Sequence, residues 1–170
     1  MLDRNAPLYT YYGQSDIDDD LVDLLSPAVS SKQVRTQDTV NTLLEGDVVF
    51  SLISGVATLV RKAHEGYLYT QNYVKLIPNK TIDPKFLIYL LNEDKSIKKQ
   101  LLRGLQGSQV LKYTLRQVKE LVLPELPSLK KQQLIGDVYL SQLRLQTLRS
   151  RAANAETTLL LAKLEEAIGK

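Results

Sequence analysis

The sequence contains no cysteine and no tryptophan, one histidine, one methionine and only 2 phenylalanines in 170 residues. Without cysteine there is no disulfide scaffold, no thiolate nucleophile and no Cys-ligated zinc or iron–sulfur site. With one histidine there is no pair of imidazoles for a metal. His64, set in the charged stretch KAHEG, is expected to be a solvated side chain and not a general base. No apolar run approaches the roughly 20 residues that cross a bilayer. MLDRNAPLYTYYG has no basic start followed by an apolar block, so no signal peptide is read and a cytoplasmic protein is expected. The patterns GxxxxGK[ST], GxGxxG and GxSxG are missing too, which removes the familiar phosphate cradles and the nucleophile elbow. DIDDD at 16–20 alternates carboxylates as a calcium loop does, but Leu21 stands where that loop needs Gly and Pro27 where it needs Glu. It is read as an exposed acidic turn. Ser51, Ser54 and Ser108 have no His–acid partners in the pattern. The expectation is a protein that is not an enzyme and that takes no metal and no cofactor.

What is present is the composition of a globular protein, with 44% hydrophobic and 24% charged residues, long enough for one ordinary domain and an appendage. The net charge of +3 hides an uneven layout. Residues 1–60 carry 3 Lys/Arg against 9 Asp/Glu, residues 61–131 carry 14 against 6, and residues 132–170 carry 5 against 4. The middle of the chain is therefore a basic block, the charge pattern of a phosphate-binding surface or of a solvated face.

The first 40 residues show turn chemistry and acids without a clear period, and little regular structure is expected there. From Leu43 the pattern sharpens. LLEGDVVFSLIS reads as a turn at Gly46-Asp47 and a buried strand, GVATLVRK as its neighbour, and GYLYTQNYVKLIP as a third strand with alternating faces. Asp83-Pro84 is a helix start, because Asp caps free N–H groups and Pro at the first helical position loses no hydrogen bond. A second short helix is expected over about Ser96 to Arg103, then the glycine-bracketed loop GLQGSQ, then a third helix from Leu115, since Thr114 and Gln117 have capping-box spacing. Pro124 and Pro127 hold Leu123 and Leu126 extended and make a stiff joint. The fold class is α+β: a small mixed or antiparallel sheet with short helices over 1–127, followed by one long C-terminal coiled-coil helix over 128–168.

That helix carries Leu134, Val138, Ser141, Leu145, Leu148, Ala152, Ala155, Leu159 and Ala162 at alternating spacings of four and three. This is a seam of period 3.5, the signature of a coiled coil, on a rod of roughly 60 Å. Such a helix overshoots its domain, so part of the seam needs another helix to cover it, and a homodimer through these nine residues is the expected form. The alternative is a helix folded back on its own domain. In the basic block, Arg61, Lys62, Tyr69, Gln71, Asn72 and Lys75 lie in or beside one hairpin. Arg103, Gln106, Ser108, Gln109, Lys112 and Tyr113 surround the glycine loop. Arg and Lys bind phosphates, and Gln, Asn and Arg read base edges, so these 12 positions are the candidate double-stranded DNA contacts. The plainer reading is that the tyrosines fill the core and the lysines keep the surface charged.

Taken in order, LLEGDVVFSLISGVATLV, QNYVKLIPNKTIDPKFLIYLLN and GSQVLKYTLRQVKELVLPELPSLKKQQLIG, with a long helix behind them, resemble the specificity subunits of type I restriction-modification systems. The matching parts are Gly46-Asp47-Val48, the helix from Pro84 to Leu91, the loop from Gly104 to Gln109, Leu115 to Leu121, and the proline-marked stretch from Leu121 to Gln133. The resemblance covers about residues 43–165. It implies a non-catalytic domain that binds one half of a split DNA target, and long helices that pair antiparallel and act as a ruler between halves. It also implies that methyltransferase subunits dock on those helices and that the restriction subunit joins them. A usual specificity subunit holds two such halves and this chain holds one, so a two-fold homodimer reading a palindromic split target is expected. Two features depart from the pattern: the stretch ahead of LYTYYGQSDIDDDL is expected to be shortened, and the usual acidic residue before the Gln is Lys131. The competing expectation is an assembly or regulatory coiled-coil protein that binds partner subunits but no DNA.

Overall fold

The computed structural model describes residues 6–27, 31–105 and 112–169. Contrary to the expectation of little regular structure, the chain opens with β1 (Leu8–Thr10), α1 (Gln14–Val22) and β2 (Gln33–Arg35). β1 and β2 pair antiparallel, Tyr9 opposite Val34. The acidic run DIDDD is thus helix and not an exposed turn. Its Asp16 and Asp20 are one helical turn apart and face inward, where both are buried.

His64 explains why, and it too departs from expectation, being buried and not solvated. It sits in a 3-10 turn (Lys62–His64) at 5% exposure, with Nδ1 2.7 Å from Asp20 Oδ1 and Nε2 3.3 Å from Asp16 Oδ1. The Tyr12 hydroxyl donates to the other Asp20 oxygen at 2.7 Å, and the Gly13 N–H donates to Asp16. Acids that a helical-period search counts as solvent-facing are here a polar plug that pins α1 to the sheet.

The central sheet has β3 (Val48–Ser51) between β4 (Ala57–Leu59) and β5 (Tyr73–Leu76), all antiparallel. β5 is shorter than the expected run, because a turn at 70–73 interrupts it and Leu68 makes only isolated bridges to Tyr11 and Thr42. β3 is buried on both faces. Val48 and Phe50 pack toward the helices with Leu52 and Ala57, while Val49 packs on the other face with Tyr12, Ile17 and Val60.

α2 (Pro84–Glu93) starts as its sequence demands: Asp83 accepts from the N–H groups of Lys85 and Phe86. Its Phe86, Leu87, Ile88, Leu90 and Leu91 fill the main core. Asn92 closes the sheet, its Oδ1 accepting from Ala57 N at 2.7 Å and its Nδ2 donating to Ala57 O at 2.9 Å, as a neighbouring strand would. α3 (Lys95–Arg103) buries Ile97 and Leu101, and α4 (Leu115–Lys119) has the expected capping box.

After the extended stretch 121–128, α5 runs over Leu129–Gly169, 41 residues and about 60 Å. Gln132 fastens its start, since Oε1 accepts from Asp83 N at 2.9 Å and Nε2 donates to Pro127 O at 2.8 Å and Thr81 O at 3.1 Å. One turn on, a β-carbon at Gly136 would lie 2.6 Å from Cβ of Lys85 and 2.8 Å from its carbonyl carbon, so only glycine lets α5 lie this close to α2. Tyr139, whose hydroxyl donates to Glu93, and Leu140 extend the contact. Further along, Arg144 donates to Asp23 and Arg151 to the carbonyl of Leu25. Beyond residue 151 every helical residue described is exposed.

Candidate nucleic-acid interface

The candidate contacts divide between the two ends of the central sheet. At one end the β3–β4 turn, the turn at 70–72 and the segment 112–113 meet. The Ser51 hydroxyl accepts from the N–H groups of Ile53 and Ser54 and so holds the turn. Gly55 has φ +71°, and a β-carbon there would lie 2.6 Å from the Tyr113 ring, so glycine is required twice over. Leu52 N donates to Asn72 O, and Tyr113 N donates to Leu52 O, both at 2.8 Å. Lys112 Nζ donates to Asn72 Oδ1 at 2.6 Å, and the Tyr113 ring meets Phe50 edge-on. This end therefore presents Gln71, exposed, with Asn72, Lys112 and Tyr113 half-buried beside it. Gln106, Ser108 and Gln109 lie outside the described residues, between Leu105 and Lys112.

Arg103 ends α3 next to this loop. With Ile97 and Leu101 turned inward, α3 exposes Lys95, Lys98, Lys99 and Arg103 on its outer surface. Among the described residues only Lys98 of these four is paired, to Glu93 at 3.4 Å. That unpaired charge on a short helix beside an amide-bearing sheet end has the chemistry to hold phosphates and to reach base edges. Periodicity alone does not single out the outer face of α3 for this role; its signal in the sequence is the local run KSIKKQLLR, 95–103.

The other end of the sheet is different. Lys75 is paired to Asp47 at 2.7 Å, Lys62 is paired to Glu65, and Arg61 Nε donates to Asp20 O at 3.1 Å and stands 3.8 Å from Asp23. These three cations serve intramolecular partners. Tyr69 packs half-buried against the second core cluster.

Electrostatics concentrate in the buried cluster behind β3. Burial opposes the charge on His64, but its hydrogen bond to Asp20 and the two carboxylates outweigh burial and hold its pKa above the ordinary value. Burial raises the Asp16 carboxyl against the pull of the Gly13 N–H and His64. Tyr12 is pushed far up by burial and by Asp20. On α5, burial and Glu93 push the Tyr139 hydroxyl up to about 12. Among the described residues, no group of His, Asp and Glu is arranged to hold a metal. No helix among them is long and apolar enough to cross a membrane.

All nine seam residues of α5, from Leu134 to Ala162, are exposed. The helix turns a different face to its domain, through Gln132, Ile135, Gly136, Tyr139 and Leu140. The start of the helix folds back on its own domain, as the alternative reading expects, through a face other than the seam. The domain thus presents the amides of Gln71 and Asn72 at a sheet end near the cations of α3, and α5 projects from it with one face uncovered.

Residues 2–155 match the family model described as the type I restriction modification DNA specificity domain, and the chain belongs to that family. Two solved structures share the fold. The crystal structure of the HsdS subunit from Thermoanaerobacter tengcongensis superposes with a TM-score of 0.61 at 23% identity, over 92% of this chain and 41% of that one. A structure concerned with complex assembly and conformational transition of the type I restriction-modification system gives 0.64 at 20% identity, with the same coverage. The chain thus spans less than half the length of either. No curated protein matches it.

Proposed function

We propose that this chain is a non-catalytic DNA specificity subunit that reads one half of a split double-stranded target and docks methyltransferase subunits through α5, the restriction subunit joining that assembly. The observation that carries the reading is the meeting of Gln71, Asn72, Lys112 and Tyr113 at one sheet end beside the cationic face of α3, in a chain of the specificity-domain family. In this reading 1–127 is the recognition domain and 128–168 the spacer and dimerisation helix. The bare seam supports a symmetric antiparallel homodimer, whose two-fold axis would make the target palindromic.

The test is filter binding of the chain with a type I methyltransferase subunit to duplexes carrying randomised half-sites, across a salt series. Binding should weaken steeply with salt, and Lys99→Ala with Arg103→Ala should reduce the slope of log K against log salt by about 2. Absence of binding at low salt with the methyltransferase present would sink the reading. A second reading, an assembly protein that binds partners but no DNA, draws support from the ion pairs that occupy Arg61, Lys62 and Lys75. It requires partner binding to survive Lys99→Ala, Arg103→Ala and Lys112→Ala with no DNA retained by the native complex.

A further inference from the structure

α5 is held to its domain at two main places, and beyond them Arg151 donates to the carbonyl of Leu25 at 2.9 Å. The first is the close seat on α2 at Gln132, Gly136 and Leu140, where backbone nearly meets backbone. The second is polar and lies at the C-terminal end of α1. There one Arg144 nitrogen donates at 2.6 Å both to the carbonyl and to the carboxylate of Asp23. Asp23 is the one described non-glycine residue with positive φ, +53°, and its N–H is held by the carbonyls of Asp19 and Asp20. Arg61 stands behind it, bonded to Asp20 O and near the Asp23 carboxylate. Through Asp20, this group continues into the buried His64 and Tyr12.

Between α5 and the domain the packing is open beside this second contact. One cleft of about 390 Å³ has Leu21, Tyr139 and Leu143 in its walls, and another of about 160 Å³ has Val22, Asp23, Leu140 and Arg144. Along this stretch Leu21, Tyr139 and Leu140 pack against the main core, and beside the clefts the Asp23–Arg144 contact bridges α1 and α5.

We propose that the Asp23–Arg144 clamp, backed by Arg61, sets the angle at which α5 leaves the recognition domain and thereby fixes the spacing between half-sites. The inference rests on the specificity-subunit reading for its effect on DNA, but the clamp itself does not. Arg144 is about 12 Å along the axis from the Gly136 seat, and the helix end is about 50 Å from it. A shift of about 1 Å at the clamp therefore becomes about 4 Å at the tip, close to the roughly 3.4 Å between successive bases of a strand. An exposed ion pair adds little to stability, so its removal should alter direction far more than folding.

Because the chain has no cysteine, Ser54→Cys and Lys163→Cys label cleanly with nitroxides, one on the sheet end and one on the rod. Pulsed electron paramagnetic resonance, with labelled chain diluted in unlabelled chain, reads the distance between them. Arg144→Ala, made in an Arg151→Ala background so that the bond to the Leu25 carbonyl does not hold the rod in its place, should broaden that distribution by several ångströms beyond the background with little change in melting temperature. Asp23→Asn, which keeps both acceptor oxygens and tolerates the left-handed backbone, should leave it narrow. An unchanged distribution in Arg144→Ala on that background overturns the clamp. In the methyltransferase complex, Arg144→Ala on that background should accept spacers one base pair longer or shorter than the native one with half-site affinity unchanged. A broadened distance with an unchanged spacer profile overturns the role in spacing. A native complex that reads no split target refutes the specificity-subunit reading instead, and the spin-label result still decides the clamp.

Discussion

His64 is the only imidazole in the chain, so the pH dependence of stability between about 6 and 8 is largely its own. Its folded-state pKa is raised, so its charged contact with Asp20 and Asp16 stabilises the fold in full below the unfolded value of about 6.5 and is lost as pH rises through the folded value. Asp16, also raised, has the same sign, since the folded state holds that proton longer as well. Thermal melting should therefore be higher at pH 6 than at pH 8, and His64→Gln should flatten the slope while lowering the pH 6 value; an equal slope in the variant would refute the assignment. None of this was legible in the sequence. Asp16 and Asp20 show helical spacing, but their partner is 44 residues away, and a histidine in KAHEG looks solvated until the fold closes over it. The same holds for Lys112, whose bond to Asn72 spans 40 residues and decides which candidate contacts share a sheet end.

At the scale of elements, local chemistry was readable and long-range packing was not. Asp83-Pro84 and the Thr114–Gln117 box start α2 and α4 where expected because each cap is completed within three residues. α1 was missed because two of its three buried residues, Asp16 and Asp20 beside Ile17, are acids. The joint before α5 is likewise held by more than its prolines: Gln132 ties Pro127, Thr81 and Asp83 together, and Gly136 lets two helices touch at backbone distance. Gly136→Ala should therefore destabilise the chain by about 1–3 kcal/mol through overpacking, despite the better helix propensity of alanine. Urea unfolding measures it, and a gain in stability would show that α2 and α5 can part without cost.

For the whole molecule, the seam of period 3.5 was legible because it repeats over seven turns or more, and its nine residues lie on a face the domain does not cover. If α5 pairs through it, Leu145→Asp with Leu148→Asp should convert a dimer to a monomer in sedimentation at tens of micromolar, with the domain still folded. A native chain that sediments as a monomer at that concentration would count against pairing. Past residue 151 the helix is apolar on more than one side, with Leu159, Leu160 and Leu161 each more than half exposed. Three consecutive leucines point in three directions around a helix, and a single partner helix covers one stripe. Under the proposed assembly, a second copy on the seam would therefore leave a further apolar stripe on the distal part for another partner helix.

Those last turns also bear on how the chain behaves alone. From Ala152 to Gly169 the helix is exposed on every side, without the tertiary packing from which helices in proteins draw most of their stability. Their amides should exchange with solvent deuterium within seconds in the lone chain, while those of α2 persist, and should slow by orders of magnitude once partners bind. Exchange protection along this one segment would report assembly directly, turn by turn, without any assay of DNA.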